Sequence, residues 1–304
     1  MKKLVFLSLI CLSIGISAQE FTPNEDNKKD TTFWRTDIKT GLTFNSVKLY
    51  NWKGGGIEST SIGALALGKT TYQREKVEWV SQMDLQYGSL KNDGQDDFRK
   101  SVDKLSLDSK FAYRFNKKWN AFSSLSFLTQ FDNGYKYNEN DSALEISDFM
   151  APAYITSSWG GEYKPNDFFY VRVSPFSPRI TIVNDTTIYH NIPENYGVDI
   201  GKTTRYEWKA FKITASFDKN IVENISLKAN YELFANMEDI TFDKIDHRID
   251  IIATAKIYKF INFTMTSNFI KDLDQINIEG GDDKWQASFQ VGLSVLFSYK
   301  NFKD

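Results

Sequence analysis

Along residues 285–302, WQASFQVGLSVLFSYKNF, an apolar side chain returns at every second position: Phe289, Val291, Leu293, Val295, Phe297 and Tyr299. Gln290, Gly292, Ser294 and Ser298 fill most of the places between them. A period of two puts the two sets on opposite faces of an extended strand. The run is long enough to cross a bilayer when tilted, and a strand with one greasy and one wet face over that length suits a closed barrel.

The same alternation recurs in eleven earlier segments, at about 35–47, 57–68, 76–90, 105–115, 119–131, 149–163, 168–183, 206–218, 225–236, 244–257 and 260–272. Each is about 11 to 16 residues long, well above the five or six usual for strands in soluble sheets. Connections after the even strands are short, whereas those after the odd strands are longer and more charged. Outer-membrane barrels alternate short turns with long outside loops in this way; a secreted β-sandwich or jelly roll, the competing reading of the alternation, has no reason to. Pro175 and Pro178 cannot donate to a ladder and mark a bulge or kink in the seventh strand. The expected fold is all-β: a monomeric, antiparallel, up-and-down transmembrane barrel of about twelve strands.

The first residues suggest how such a chain is delivered. Lys2 and Lys3, an apolar run over 4–16 and Ser17-Ala18-Gln19 read as a secretory signal cut after Ala18. Residues 19–34 then form a polar periplasmic lead-in and 35–304 the barrel. Cys11, the only cysteine, falls in the leader, so disulfides and thiol chemistry are not expected of the mature chain. Without Lys2 and Lys3 the balance is 35 basic to 39 acidic side chains, which offers nothing to nucleic acid. After the leader no apolar run approaches the length of a membrane-crossing helix.

If the apolar positions meet outer-membrane lipid, the alternate ones face the lumen, because charge in hydrocarbon is strongly unfavourable. The lumen-lining candidates are Lys39, Glu78, Asp84, Lys104, Asp108, Lys110, Arg114, Arg172, Lys212, Lys228, Glu232, Arg248, Asp250 and Lys256, with Asp37 and Asp246 beside them. Two readings stay open. A slightly basic ring makes a narrow channel that favours small anionic solutes; alternatively, opposite charges pair across a lumen too small to conduct. A third reading leaves the wall structural and gives ligand binding to the long loops at 132–147 and 184–204.

Other chemistry is thinly represented. A lipid hydrolase would place a serine and a histidine on the outer wall, yet the histidines are only His190, in a loop, and His247, and no G-x-S-x-G motif accompanies them. No enzyme activity is expected. Acidic runs at Asp93–Asp97 and Gly280–Asp283 lack the spacing of a calcium loop, so neither a metal site nor a cofactor is expected. Tyr50, Trp52, Trp119, Tyr163, Phe168, Tyr170, Tyr206, Trp208, Tyr258, Phe260 and Trp285 fall near strand ends and read as an interfacial aromatic girdle.

Six short segments carry a resemblance: Asn51-Trp52-Lys53-Gly54-Gly55-Gly56, Arg99-Lys100 followed by Asp103, Thr129-Gln130-Phe131, Phe149-Met150-Ala151-Pro152-Ala153-Tyr154, Ser174-Pro175-Phe176-Ser177-Pro178 and Tyr196-Gly197-Val198. In these the chain resembles an uncharacterised outer-membrane barrel family of the Bacteroidota, known as a domain of unknown function. The resemblance implies an outer-membrane address, and the barrel reading puts both termini in the periplasm. The resemblance implies no activity.

Overall fold

The computed structural model describes residues 33–47, 58–137, 142–191, 195–238, 245–272 and 285–301. The expected leader with Cys11, the expected lead-in up to Thr32, Tyr50, Trp52, the glycine-rich stretch at 51–56 and the acidic run at 280–283 lie outside the described residues.

Within them, β1 (Trp34–Val47), β2 (Ser59–Arg74), β3 (Val77–Asn92), β4 (Arg99–Arg114) and β5 (Trp119–Thr129) form an antiparallel meander. A small hairpin follows, β6 (Gly134–Tyr137) and β7 (Ala143–Ser147), in the stretch the sequence reads as a polar loop. Next come β8 (Ala153–Tyr163), β9 (Phe169–Phe176), β10 (Arg179–Ile182), β11 (Thr204–Glu207) and β12 (Ala210–Val222). The chain ends with β13 (Ile225–Asn236), β14 (Asp246–Tyr258), β15 (Ile261–Lys271) and β16 (Trp285–Lys300).

Twelve of these strands close a ring in the order β8, β5, β4, β3, β2, β1, β16, β15, β14, β13, β12, β9 and back to β8. The first and last strands pair along Ile38 to Tyr299 and Phe44 to Leu293, and Asn301 clasps the join: its backbone N–H donates to Thr36 O at 3.2 Å and its side-chain oxygen accepts from Thr36 N–H at 2.7 Å. At Gly41 an added Cβ would lie 2.2 Å from Leu296 Cδ2 and 2.8 Å from the Val295 carbonyl, so the absence of a side chain is what lets this seam close.

The strands run further than the alternation suggested at two places. β2 continues to Arg74, and β4 starts at Arg99 inside the supposed loop. Charged residues such as Lys69 had looked like loop, yet on the wet face of a barrel they are ordinary strand residues. The second connection shrinks to Glu75 and Lys76, with Glu75 at φ 50.

The proline-bearing strand is interrupted as expected. Ser174 faces Lys212 in the β9–β12 ladder and Arg179 faces Glu207 in the β10–β11 ladder, the same pairing offset on either side of Pro178. β9 with β10, and β11 with β12, are therefore two barrel strands each bent once, and twelve membrane-length strands remain. On the other side β8 shifts register between Trp159 and Gly161, a bulge that absorbs the bend. A Cβ on Gly160 would sit 2.0 Å from the Val173 carbonyl oxygen and 2.9 Å from Ser174 Cα. Both are backbone atoms that can yield only by parting the strands, so Gly160→Ala is expected to cost about 1–3 kcal/mol, read as faster amide exchange along β9 than along β3.

The outward positions are apolar and open: Phe289 is 66% exposed, Leu42 62% and Leu293 54%. The inward ones are polar and covered, among them Lys110, Glu162, Arg172 and Ser294. A greasy exterior around a charged interior inverts the order of a water-soluble domain and is the pattern of a membrane-spanning barrel. Aromatic rings band the ends. Trp34 packs 5.0 Å from Tyr72 and 6.1 Å from Trp79 on the short-turn side, where Trp119 also meets Tyr163 at 4.9 Å; Tyr206 and Trp208 stack at 6.0 Å on the loop side. Two girdle assignments need correction: Phe168 and Tyr170 line the interior, because counting by twos from inward Arg172 turns them inward as well.

Candidate functional site: a lumen crossed by ion pairs

Because every second residue of each strand looks inward, most strands of the ring deliver polar side chains into a cavity of about 310 Å³, to which β16 contributes none. Of the residues singled out from the sequence, Lys39, Glu78, Asp84, Lys104, Asp108, Lys110, Arg172, Lys212, Lys228, Glu232, Arg248 and Asp250 line it. Arg114 and Lys256 do not: each has the inward phase but sits in the last residues of its strand at the short-turn end, past the cavity, and Lys256 is exposed.

Three polar clusters occupy the cavity at different levels. Nearest the short turns, Lys110 Nζ donates to Glu78 Oε1 at 2.8 Å and to both carboxylate oxygens of Glu162 at 2.9 and 2.8 Å. Glu162 also accepts from Arg172 Nε at 2.8 Å and from Asn120 Nδ2 at 2.7 Å, while Lys164 Nζ reaches Glu78 Oε2 at 2.8 Å. Glu162 is 0% exposed and Lys110 2%. Buried charge of this kind is tolerable only when each group is answered, and here the two glutamates are answered by three cations and an amide. The Arg172 guanidinium lies 4.2 Å from the centre of the Tyr170 ring, which holds its plane toward Glu162.

In the middle of the barrel, Lys104 Nζ bridges Asp84 at 3.0 Å and Asp250 at 2.9 Å. Asp84 is on the neighbouring strand β3, but Asp250 is on β14, six places round a ring of twelve from β4. This contact spans the interior from one wall to the opposite one. Two side chains meet across a barrel only where its walls come close, so the cross-section is narrowed at Lys104.

Toward the loops, Arg179 Nη1 pairs with Asp246 at 3.0 Å and Nη2 lies 3.8 Å from Glu232, which Lys212 holds at 2.8 Å. Arg179 stacks 3.2 Å over the Phe234 ring. Sequence reading missed Glu162, Lys164 and Arg179. Glu162 shares the inward phase of Thr156 and Ser158 and was there to be counted; Arg179 follows the Pro178 bend, where the phase is lost; Lys164 belongs to a turn.

Above the barrel mouth the loops have a core of their own. Ala151, Val183, Ile188, Tyr196 and Val198 are buried together, with Ile146 packed against them. Gln130 Nε2 donates to Asp148 O at 3.0 Å, Thr129 Oγ1 to Pro152 O at 2.9 Å, and Asp103 accepts from the backbone N–H groups of Phe131 and Asp132 at 2.8 and 3.0 Å. Four of the six segments that carried the family resemblance, 99–103, 129–131, 149–154 and 196–198, are thus gathered at the loop end, while 174–178 lies in the wall at the bend between β9 and β10. The Tyr196 hydroxyl donates to the Ile146 carbonyl at 2.6 Å from a site where burial pushes its pKa up. Tyr196→Phe removes that bond and leaves the carbonyl buried, at an expected cost of about 1–3 kcal/mol, visible as faster protease nicking between 184 and 204 with the barrel intact.

Neither histidine forms a catalytic set among the described residues. His190 sits exposed in a short 3-10 turn, and His247 Nδ1 meets the Tyr231 hydroxyl at 2.9 Å. No group of three or more His, Cys, Asp or Glu that could hold a metal ion occurs among the described residues, the Asp93–Asp97 loop included.

Residues 44–135 match the family model described as a protein of unknown function, DUF3078. That span includes three of the six segments, 51–56, 99–103 and 129–131. No curated protein matches the sequence. The structure is similar to the translocator domain of the autotransporter NalP from Neisseria meningitidis, at 9% identity over 90% of each chain with a TM-score of 0.37. It is similar to an outer membrane channel from Pseudomonas putida F1, at 11% identity over 92% of this chain and 100% of that one, TM-score 0.40. The NanC porin is a third likeness, at 8% identity over 86% and 98% of the two chains, TM-score 0.38.

Proposed function

We propose that the protein is an outer-membrane barrel whose lumen is barred at rest by ion pairs and passes small polar solutes when the bar is displaced. The observation that carries this reading is the Lys104 bridge between opposite walls: a structural wall needs only that its charges be paired, whereas a single side chain held by one carboxylate on each wall is a movable obstruction. The loops face the outside, and the short turns, with Phe33 and Asn301 beside them, face the periplasm, as the long-loop, short-turn asymmetry of such barrels supports.

The lining holds ten Lys and Arg side chains and ten Asp and Glu, so the basic excess expected from the sequence is absent from the cavity as a whole. A mild anion preference rests instead on the groups outside ion pairs. Lys39, Lys69, Lys228 and Arg248 make no direct pair with a described carboxylate, against Asp37, Asp167 and Asp218 among the acids. Recording in planar bilayers across a potassium chloride gradient tests this: rare current steps that reverse on the chloride side are expected, and reversal on the potassium side contradicts the preference.

The packed loop core favours a second reading, a surface binder. Loops ordered by their own hydrophobic cluster and by Asn191 and Tyr196 bonds to the β7 carbonyls form a fixed surface rather than a fringe. Ligand binding abolished by cutting the loop at 184–204, in a barrel that never conducts, would decide for it.

A further inference from the structure

The Lys104 bridge shows what kind of group fits at its level of the lumen. A primary ammonium, Lys104 Nζ, lies 3.0 Å from Asp84 Oδ2 on β3 and 2.9 Å from Asp250 Oδ2 on β14. Those two strands are five places apart in the ring, so the carboxylates close on the ammonium from facing walls. Any primary ammonium that entered could make the same two contacts.

One step toward the short turns, the sign of the charge reverses on both walls. Asp84 stands opposite Leu67 in the β2–β3 ladder, and Lys69 lies two residues further along β2. Asp250 stands opposite Asn230 in the β13–β14 ladder, and Lys228 lies two residues back along β13. Two residues are about 7 Å of strand, and β2 and β13 are again five places apart. All four charged side chains line the cavity. Lys69 faces Asp37 across β1–β2 and Lys228 faces Asp218 across β12–β13, yet neither lysine makes an ion pair, and one oxygen of Asp37 is buried without a partner. The two ammoniums act across the lumen instead: Lys69 interacts electrostatically with Lys228 and with Asp218, and Lys228 with Asp84. Lys39, also without a pair, stands level with Asp84 on β1.

We propose that this stretch of the lumen binds a small zwitterion of the amino-acid type, its ammonium taking the place of Lys104 between Asp84 and Asp250 and its carboxylate lying between Lys69 and Lys228. This rests on the reading of the Lys104 bridge as a movable bar, and identifies what moves it. Exchanging one ammonium for another between the same carboxylates is close to even, so the carboxylate end, met by two lysines that have no ion pair to give up, decides the balance. A simple amine meets those lysines with its own sign, and a simple carboxylate meets Asp84 and Asp250 with its own. Only a solute with both ends is answered at both levels. A cavity lined by ten cations and ten anions also stays balanced when such a solute enters.

Saturation-transfer NMR of the whole protein in phosphatidylcholine nanodiscs, titrated with γ-aminobutyrate, n-butylammonium and butyrate, tests it. The expected result is a dissociation constant for γ-aminobutyrate about tenfold below those of the other two, the effect of one hydrogen bond between charged groups. Lys69→Gln/Lys228→Gln should abolish that margin, Lys104→Ala, which vacates the ammonium position, should tighten γ-aminobutyrate several-fold, and Lys202→Ala, on an exposed loop, should change nothing. No saturable γ-aminobutyrate signal, equal constants for the three probes, an undiminished margin in the double-lysine variant, or no tightening in Lys104→Ala would each overturn the proposal. Swelling of proteoliposomes in γ-aminobutyrate and in erythritol separates the site from the channel. Binding with no swelling in either solute leaves the site standing and overturns conduction; equal swelling in both with no binding margin does the reverse. Heat-modifiable gel mobility reports folding, and Lys228→Gln alone stands in should the double variant fail to fold.

Discussion

Glu162→Ala is expected to lower the barrel's unfolding free energy by about 3–5 kcal/mol, the usual cost of leaving buried charge without its partner. Glu162 is fully covered and answers Lys110, Arg172 and Asn120 at once. Its removal leaves Lys110 with Glu78 alone and Arg172 with Asp108 at 3.9 Å. Glu162→Gln keeps the volume and one acceptor for Asn120 and is expected to fall between wild type and Ala. Lys202→Ala, which breaks an exposed pair with Asp199, is expected to leave the urea midpoint in lipid vesicles where it was. A Glu162→Ala midpoint equal to wild type would mean that the cluster is solvated in the membrane and that its charges are not buried.

The second large effect is on current. Lys104→Ala removes the side chain that joins β4 to Asp250 on the opposite wall, and a several-fold rise in conductance over wild type is expected in planar bilayers. Because that variant also deletes a lumen cation beside Asp84 and Asp250, its selectivity should move toward cations. Asp250→Asn releases the same bridge from its other end while deleting a carboxylate, so it should also open the pore but move selectivity toward anions. A rise in conductance shared by two variants whose selectivities move in opposite directions separates a bar across the lumen from a mere change in wall charge. If neither variant conducts, the pathway is closed elsewhere, and the conducting reading fails.

The wall of this protein was legible in its sequence for a simple physical reason. Lipid on one side and water on the other force a period of two, so the strands at 225–236 and 285–300 could be placed almost to the residue. Pro175 and Pro178 announced the bend, although the means of accommodating it, the bulge at Gly160 on the neighbouring strand, lies beyond local pattern. The interior was legible as a set of residues and illegible as an arrangement. Which residue meets which across a barrel depends on the stagger and flattening of the closed sheet, so Lys104, Asp84 and Asp250 could be named but not joined. The loop hairpin β6–β7 escaped for the opposite reason: four- and five-residue strands in polar sequence give alternation too little length to show.

Spin labels placed one at a time along β16, from 289 to 299, measure the central claim most directly. Collision rates with oxygen, which concentrates in lipid, should peak at positions 289, 291, 293, 295 and 297. Rates with a water-soluble nickel chelate should stay low at those positions, and the even positions should show little oxygen contact. Collision rates that rise and fall with no period of two, or odd positions as open to the chelate as an exposed loop label, would contradict a sealed cylinder with hydrocarbon outside and charge within.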